Sequence, residues 1–123
     1  MIEQEYISNL HADFKRMVSG YLSMVETFLL RPQVTDADKQ VLEQYKIMLK
    51  GKDVHEIEEC FSEGDIIKAL DKIAKFYKDL SDYALEHINE NLIWKQVVRQ
   101  LIFHHIESGK EFAKERYNEV ASK

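Results

Sequence analysis

One proline and four glycines in 123 residues leave this chain with few residues that break a helix. Proline removes a backbone donor and glycine weakens any regular element, so long stretches free of both must run as uninterrupted secondary structure. The apolar residues choose which kind. From about Ile2 to Arg31 they recur at 3–4 spacing as Ile7, Leu10, Phe14, Met17, Tyr21, Met24 and Phe28. Val18, Leu22, Val25 and Leu29 widen the stripe, as a helix packed into a core requires. Pro32 disfavours helical geometry at Arg31 and ends the segment.

The same reading supplies three further arms. Thr35 stands where it can cap a second helix, with Asp38 three residues on as in a capping box. Val41, Leu42, Tyr45, Met48 and Leu49 form its inner face, and Lys50-Gly51 offers a left-handed stop. A new start follows, with Asp53 as cap and Val54, Ile57 and Phe61 facing inward. Residues 36 to 62 thus read as one arm broken at Gly51. Gly64-Asp65 is the next stop and start, and Ile66, Leu70, Ile73, Tyr77, Leu80, Ala84 and Ile88 carry the third arm.

No Gly or Pro separates that arm from the series Trp94, Val98, Leu101, His105 and Phe112, which ends near Val120. Helical phase separates them instead. Stripes centred on Tyr77 and Leu101 lie about 120° apart at 100° per residue, so one straight helix would face two cores. A turn at Asn89 to Asn91, with Asn91 as cap, resolves the conflict. The expected fold is an all-α, up-down-up-down four-helix bundle, its second arm broken at Gly51, forming a single domain over residues 1–123.

Composition narrows the function classes. With 22 acidic against 17 basic side chains the formal charge is -5, which opposes binding to duplex nucleic acid. A lone Cys60 precludes a disulfide framework and fits a reducing, cytoplasmic setting. No apolar run reaches the length of a membrane span and the first residues show no secretory pattern. Lysine, isoleucine and asparagine usage points to a bacterial or phage source.

Chemistry-bearing residues are few. Di-iron bundles use Glu-x-x-His, which is absent, whereas His-x-x-Glu occurs at His55/Glu58, His87/Glu90 and His104/Glu107. A metal- or ligand-binding alternative would draw on His11, His104, His105 and Glu107, although a His on an apolar face is more often a neutral core residue. No metal or cofactor is expected on the primary reading. Glu58 and Glu59 beside Cys60 argue against a reactive thiolate, and no phosphate loop or nucleophile elbow is present.

The run Arg99-Gln-Leu-Ile-Phe-His104 resembles the Arg-x(4–6)-His signature of HEPN ribonucleases, small helical bundles that dimerise and cut RNA. Gln100 stands where that family usually carries Asn, Asp or His. The resemblance implies a catalytic pair in a dimer cleft, with Arg99 and His104 polarising phosphate and moving a proton.

The glutamates Glu107, Glu111, Glu115 and Glu119, interleaved with Lys110, Lys114 and Arg116, read as a solvated helix face. An excess of large apolar residues is more informative. Phe103, Ile106 and Tyr117 fall outside the stripe of the fourth arm, and Phe76 and Tyr83 outside that of the third. A bundle helix needs one apolar face, so a second asks for another surface. The primary expectation is therefore a non-enzymatic interaction or regulatory module. It binds a protein partner, or a second copy as a homodimer, through Phe76, Tyr83, Phe103, Ile106 and Tyr117.

Overall fold

A computed structural model describes residues 3–87 and 96–122, with side chains in the last helix from Val98 onward. Five helical pieces make up four arms: α1 (Gln4–Leu29), α2 (Asp36–Leu49), α3 (Lys52–Ser62), α4 (Ile66–His87) and α5 (Gln96–Ala121). They form the expected up-down-up-down bundle, with α2 and α3 together as the broken second arm. The turn at Asn89 to Asn91, its cap, and the inward positions of Ile88 and Trp94 lie outside what is described.

The helix ends follow local chemistry. Thr35 Oγ1 accepts from the backbone N–H of Asp38 at 3.2 Å, so the cap forms. The reciprocal half does not: the Asp38 side chain is 1% exposed, with neither carboxylate oxygen hydrogen-bonded. After α3 the chain makes a Schellman stop. Asp65 N–H donates to the Cys60 carbonyl at 2.9 Å and Gly64 N–H to that of Phe61 at 3.1 Å, with Gly64 at φ 76°. Asp65 then caps α4 through Oδ1, which accepts from Lys68 N–H at 3.2 Å.

Two expectations about Gly51 are corrected. It is extended rather than left-handed, with φ -91°, and it caps α3 itself, so Asp53 lies inside the first turn. A side chain is excluded there for another reason: a Cβ would stand 2.8 Å from the Ile47 carbonyl oxygen. The break is a tight corner with no loop.

The core is built from Leu10, Phe14, Tyr21 and Val25 of α1, Leu42 and Tyr45 of α2, Ile57 and Phe61 of α3, and most of α4. The predicted stripe of α4 is buried throughout its described length. That of α5 is displaced. Its buried line is Ile102, Ile106, Gly109, Ala113 and Val120, while Leu101 is 38% exposed and Val98, His105 and Phe112 are only half-buried. Gly109 is the reason. A Cβ there would overlap the Tyr77 ring at Cδ1, Cε1 and Cζ. Two helices approach this closely only through a small residue, so α5 turns its Gly109–Ala113 side toward α4 and carries its large side chains on the flanks.

Candidate functional site

The five residues expected to form an outward face separate. Phe76 is 1% exposed and Ile106 fully buried, so neither belongs to a free surface. The broken second arm accounts for Phe76, which lies beside Asp53 and Glu56 of α3. The rotated seam accounts for Ile106. Tyr83 also points into the bundle, edge-on to Tyr45 at 5.2 Å and 4.2 Å from the His87 ring. Phe103 is half-buried, with the Arg99 guanidinium 5.8 Å above its ring, and Tyr117 is 39% exposed.

Tyr117 borders a surface depression. A shallow groove of about 220 Å³ runs between α4 and α5, lined by Leu70, Asp71, Ala74, Lys110, Ala113, Lys114, Tyr117 and Asn118. Leu70 and Ala113 form a buried floor. Lys110 leans across the seam: its Nζ donates to Ser81 Oγ at 3.3 Å and lies 3.7 Å from Glu107. Ile67, Lys78 and Leu85 share the helix face of Ala74, and Arg99 and Phe103 that of Lys110, each within about 40° of rotation. Leu85 is 71% exposed.

Of these residues only Phe103 and Tyr117 stood in the predicted surface. Lys110 and Lys114 read in sequence as counterions of a glutamate ladder, and alanines carry almost no hydrophobic signal. The seven-residue spacing of Phe103, Lys110 and Tyr117 was the available clue, because such a spacing returns to one helix face.

The residues of the other two readings do not converge. Arg99 and His104 lie on one continuous helix, where residues five apart differ by about 140°. Arg99 rests on Phe103, whereas exposed His104 lies 5.9 Å from the ring of His105. His11 stacks on Phe61 of α3 with centroids 4.8 Å apart, while His105 of α5 meets Tyr21 at 5.2 Å, about three turns further along α1. Glu107 pairs with Lys110. Among the described residues no group of three or more His, Cys, Asp or Glu side chains is placed to hold a metal ion.

The imidazoles instead belong to the packing. Burial depresses the pKa of both, with Lys15 adding to the effect at His11 and His104 at His105, while Glu58 opposes it at His11. The Nε2 of His11 is buried without a hydrogen-bond partner. Tyr21 and Tyr45 face each other at 5.8 Å, each with its phenol pKa raised chiefly by burial. Their hydroxyls are near enough to bias one another's ionisation, yet neither makes a hydrogen bond of normal geometry. Cys60 is buried and its pKa is raised, mainly by burial rather than by its acidic neighbours, so it is an inert packing thiol.

Among the described residues no helix is long and apolar enough to cross a membrane. No family model, curated protein or solved structure matches this chain.

Proposed function

We propose that this chain is a non-enzymatic interaction module that docks another protein in the groove between α4 and α5. The carrying observation is the groove itself, in which exposed Ala74 and Tyr117 stand over a buried floor of Leu70 and Ala113. Its volume of about 220 Å³ is below the roughly 300–1,000 Å³ of pockets that enclose small molecules. Its shallow, open form suits a macromolecular surface. The divergence of Arg99 from His104, and of His11 from His105, removes the geometric support for a nuclease or metal centre. The free, buried Cys60 is compatible with a reducing, cytoplasmic setting.

Ala74 is the position at which to test this reading, since it is exposed and lines the groove. Wild-type protein and Ala74→Arg are purified gently from the native cell and compared by native mass spectrometry, with helicity checked by circular dichroism. The expected result is a stoichiometric protein partner, or a second copy, that is held by the wild type and lost from the folded variant. Equal retention by both would move the docking surface elsewhere.

A further inference from the structure

We propose that the bundle is a hinged, acid-responsive device. The α1–α2 hairpin opens away from α3–α4–α5 about Gly51 when His105 and His11, both in the seam between these halves, take up protons.

Packing sets the halves. α1 packs chiefly on α2, and α4 on α3 and α5, while contacts between the two sets are sparse. The chain crosses from one half to the other once, at the corner where Gly51 caps α3. That corner has no loop, so a change in the backbone dihedrals of Gly51 swings the hairpin as a unit. Polar ties follow the same division. Among the described residues every ion pair lies within one half. One side-chain hydrogen bond between described residues crosses, from Tyr6 Oη to Glu119 Oε2 at 2.7 Å. The ring contacts of the seam are His11 and Phe14 on Phe61, Tyr21 on His105, and Tyr45 on Tyr83.

Three of the hairpin's seam rings carry a buried polar atom without a hydrogen-bond partner: His11 Nε2, Tyr21 Oη and Tyr45 Oη. Water reaching them offsets part of the cost of parting the seam. Protons add to this, because the seam is a poor place for a cation at His105. Its ring faces Tyr21 of α1, with Tyr45 of α2 behind, and His104 on its own helix. From α4, Tyr77 stands against Gly109, one turn along from His105. None of these groups carries a negative charge at neutral pH.

His11 is held less one-sidedly. Lys15 of α1 repels its charged form, while Glu58 of α3 attracts it across the seam. The neighbouring Cys60 thiol is kept neutral by burial. Burial lowers the pKa of both imidazoles in the closed bundle, whereas in the open form they titrate near about 6.5. Opening therefore becomes easier as pH falls through that value. One pH unit below it, each imidazole raises the open population by up to about tenfold.

Amide hydrogen exchange of the full chain, followed segment by segment at pH 7.5 and pH 5.5 and corrected for the intrinsic rate, tests this. Protection in α1 and α2 is expected to fall together at the lower pH, by about tenfold or more, while that of α4 and α5 holds. His105→Gln should remove most of that fall. His11→Gln should remove less, because Glu58 receives part of the charge, and replacing exposed His55 by Gln should remove none. Should His105→Gln not fold, His105→Phe takes its place, keeping an unchargeable ring against Tyr21. Equal loss from α1 and α4 would show the whole bundle unfolding and overturn the hinge. Loss from α1 with α2 still protected would overturn it as well, by showing one helix peeling away alone. Unchanged protection at pH 5.5, or an acid loss as large in the His105 variant as in the wild type, would overturn the imidazole trigger.

Discussion

Gly20 and Gly109 both lie in the interior of a long helix, and replacing each by alanine should change stability in opposite directions. Alanine is favoured over glycine in a helix by about 1 kcal/mol, because glycine loses more backbone freedom on folding. At Gly20 nothing lies within 4 Å of where the new Cβ would stand, so Gly20→Ala should stabilise by about 1 kcal/mol. At Gly109 the same gain meets the Tyr77 ring, which is 1% exposed and held edge-on against Phe76 at 5.3 Å. A ring so enclosed has no free rotamer, so the overlap must separate α4 from α5. Overpacking of this kind costs about 1–3 kcal/mol, and three overlapped ring atoms place it toward the upper end. The net for Gly109→Ala is then a loss of about 1–2 kcal/mol, a gap of about 2–3 kcal/mol between two chemically identical substitutions. Urea unfolding at pH 7.5 measures both, and thermal midpoints should differ by roughly 10 °C for a chain of this size. Adding Tyr77→Leu should make Gly109→Ala less costly than it is alone, since the overlap is then relieved. If Gly109→Ala is as stable as Gly20→Ala, the close seam between α4 and α5 is wrong, and the displaced face of α5 with it.

Ile106→Glu, which places a charge on a fully buried position, should cost several kcal/mol and abolish cooperative unfolding. Tyr117→Glu at the groove edge should leave the helical circular-dichroism spectrum and midpoint nearly unchanged. Because burial lowers the pKa of His11 and His105, the unfolded imidazoles take up protons near about 6.5 and the folded ones only below that. Stability is then fully present above that value and is lost as pH falls beneath it; the double variant His11→Gln/His105→Gln should flatten the fall in urea midpoint between pH 7.5 and pH 5.5. A decline as steep as that of the wild type would exclude the imidazoles as its source.

What could be read from the chain was mostly its punctuation. Pro32, Thr35 and Gly64-Asp65 act through neighbouring backbone groups, so their effect is contained in the residues themselves. The stripes of α1 and α4 were legible because large apolar residues mark them. The stripe of α5 was not, because the closest approach in the bundle is made by Gly109 and Ala113, which carry little hydrophobic weight. Leu101 drew the expected face toward itself and lies instead on the flank. The same error turned Ile106 outward, whereas it is buried in the seam, within about 40° of Lys110 and Tyr117, which border the groove. Phe76 was misread for a different reason: a helix touched on two sides needs two apolar faces, and the number of its neighbours is a tertiary fact.

The position of α4 between α3 and α5 has a kinetic consequence. Both of its main partners are its neighbours in sequence, so these contacts close over short chain segments. α1 meets α5 through Tyr6 and Glu119, which are 113 residues apart, and through Tyr21 and His105. Chain-closure entropy therefore delays that edge relative to the local hairpins. Folding should begin in the α3–α4–α5 stretch and finish when α1 closes over it, and hydrogen exchange should find α1 opening first and α4 last.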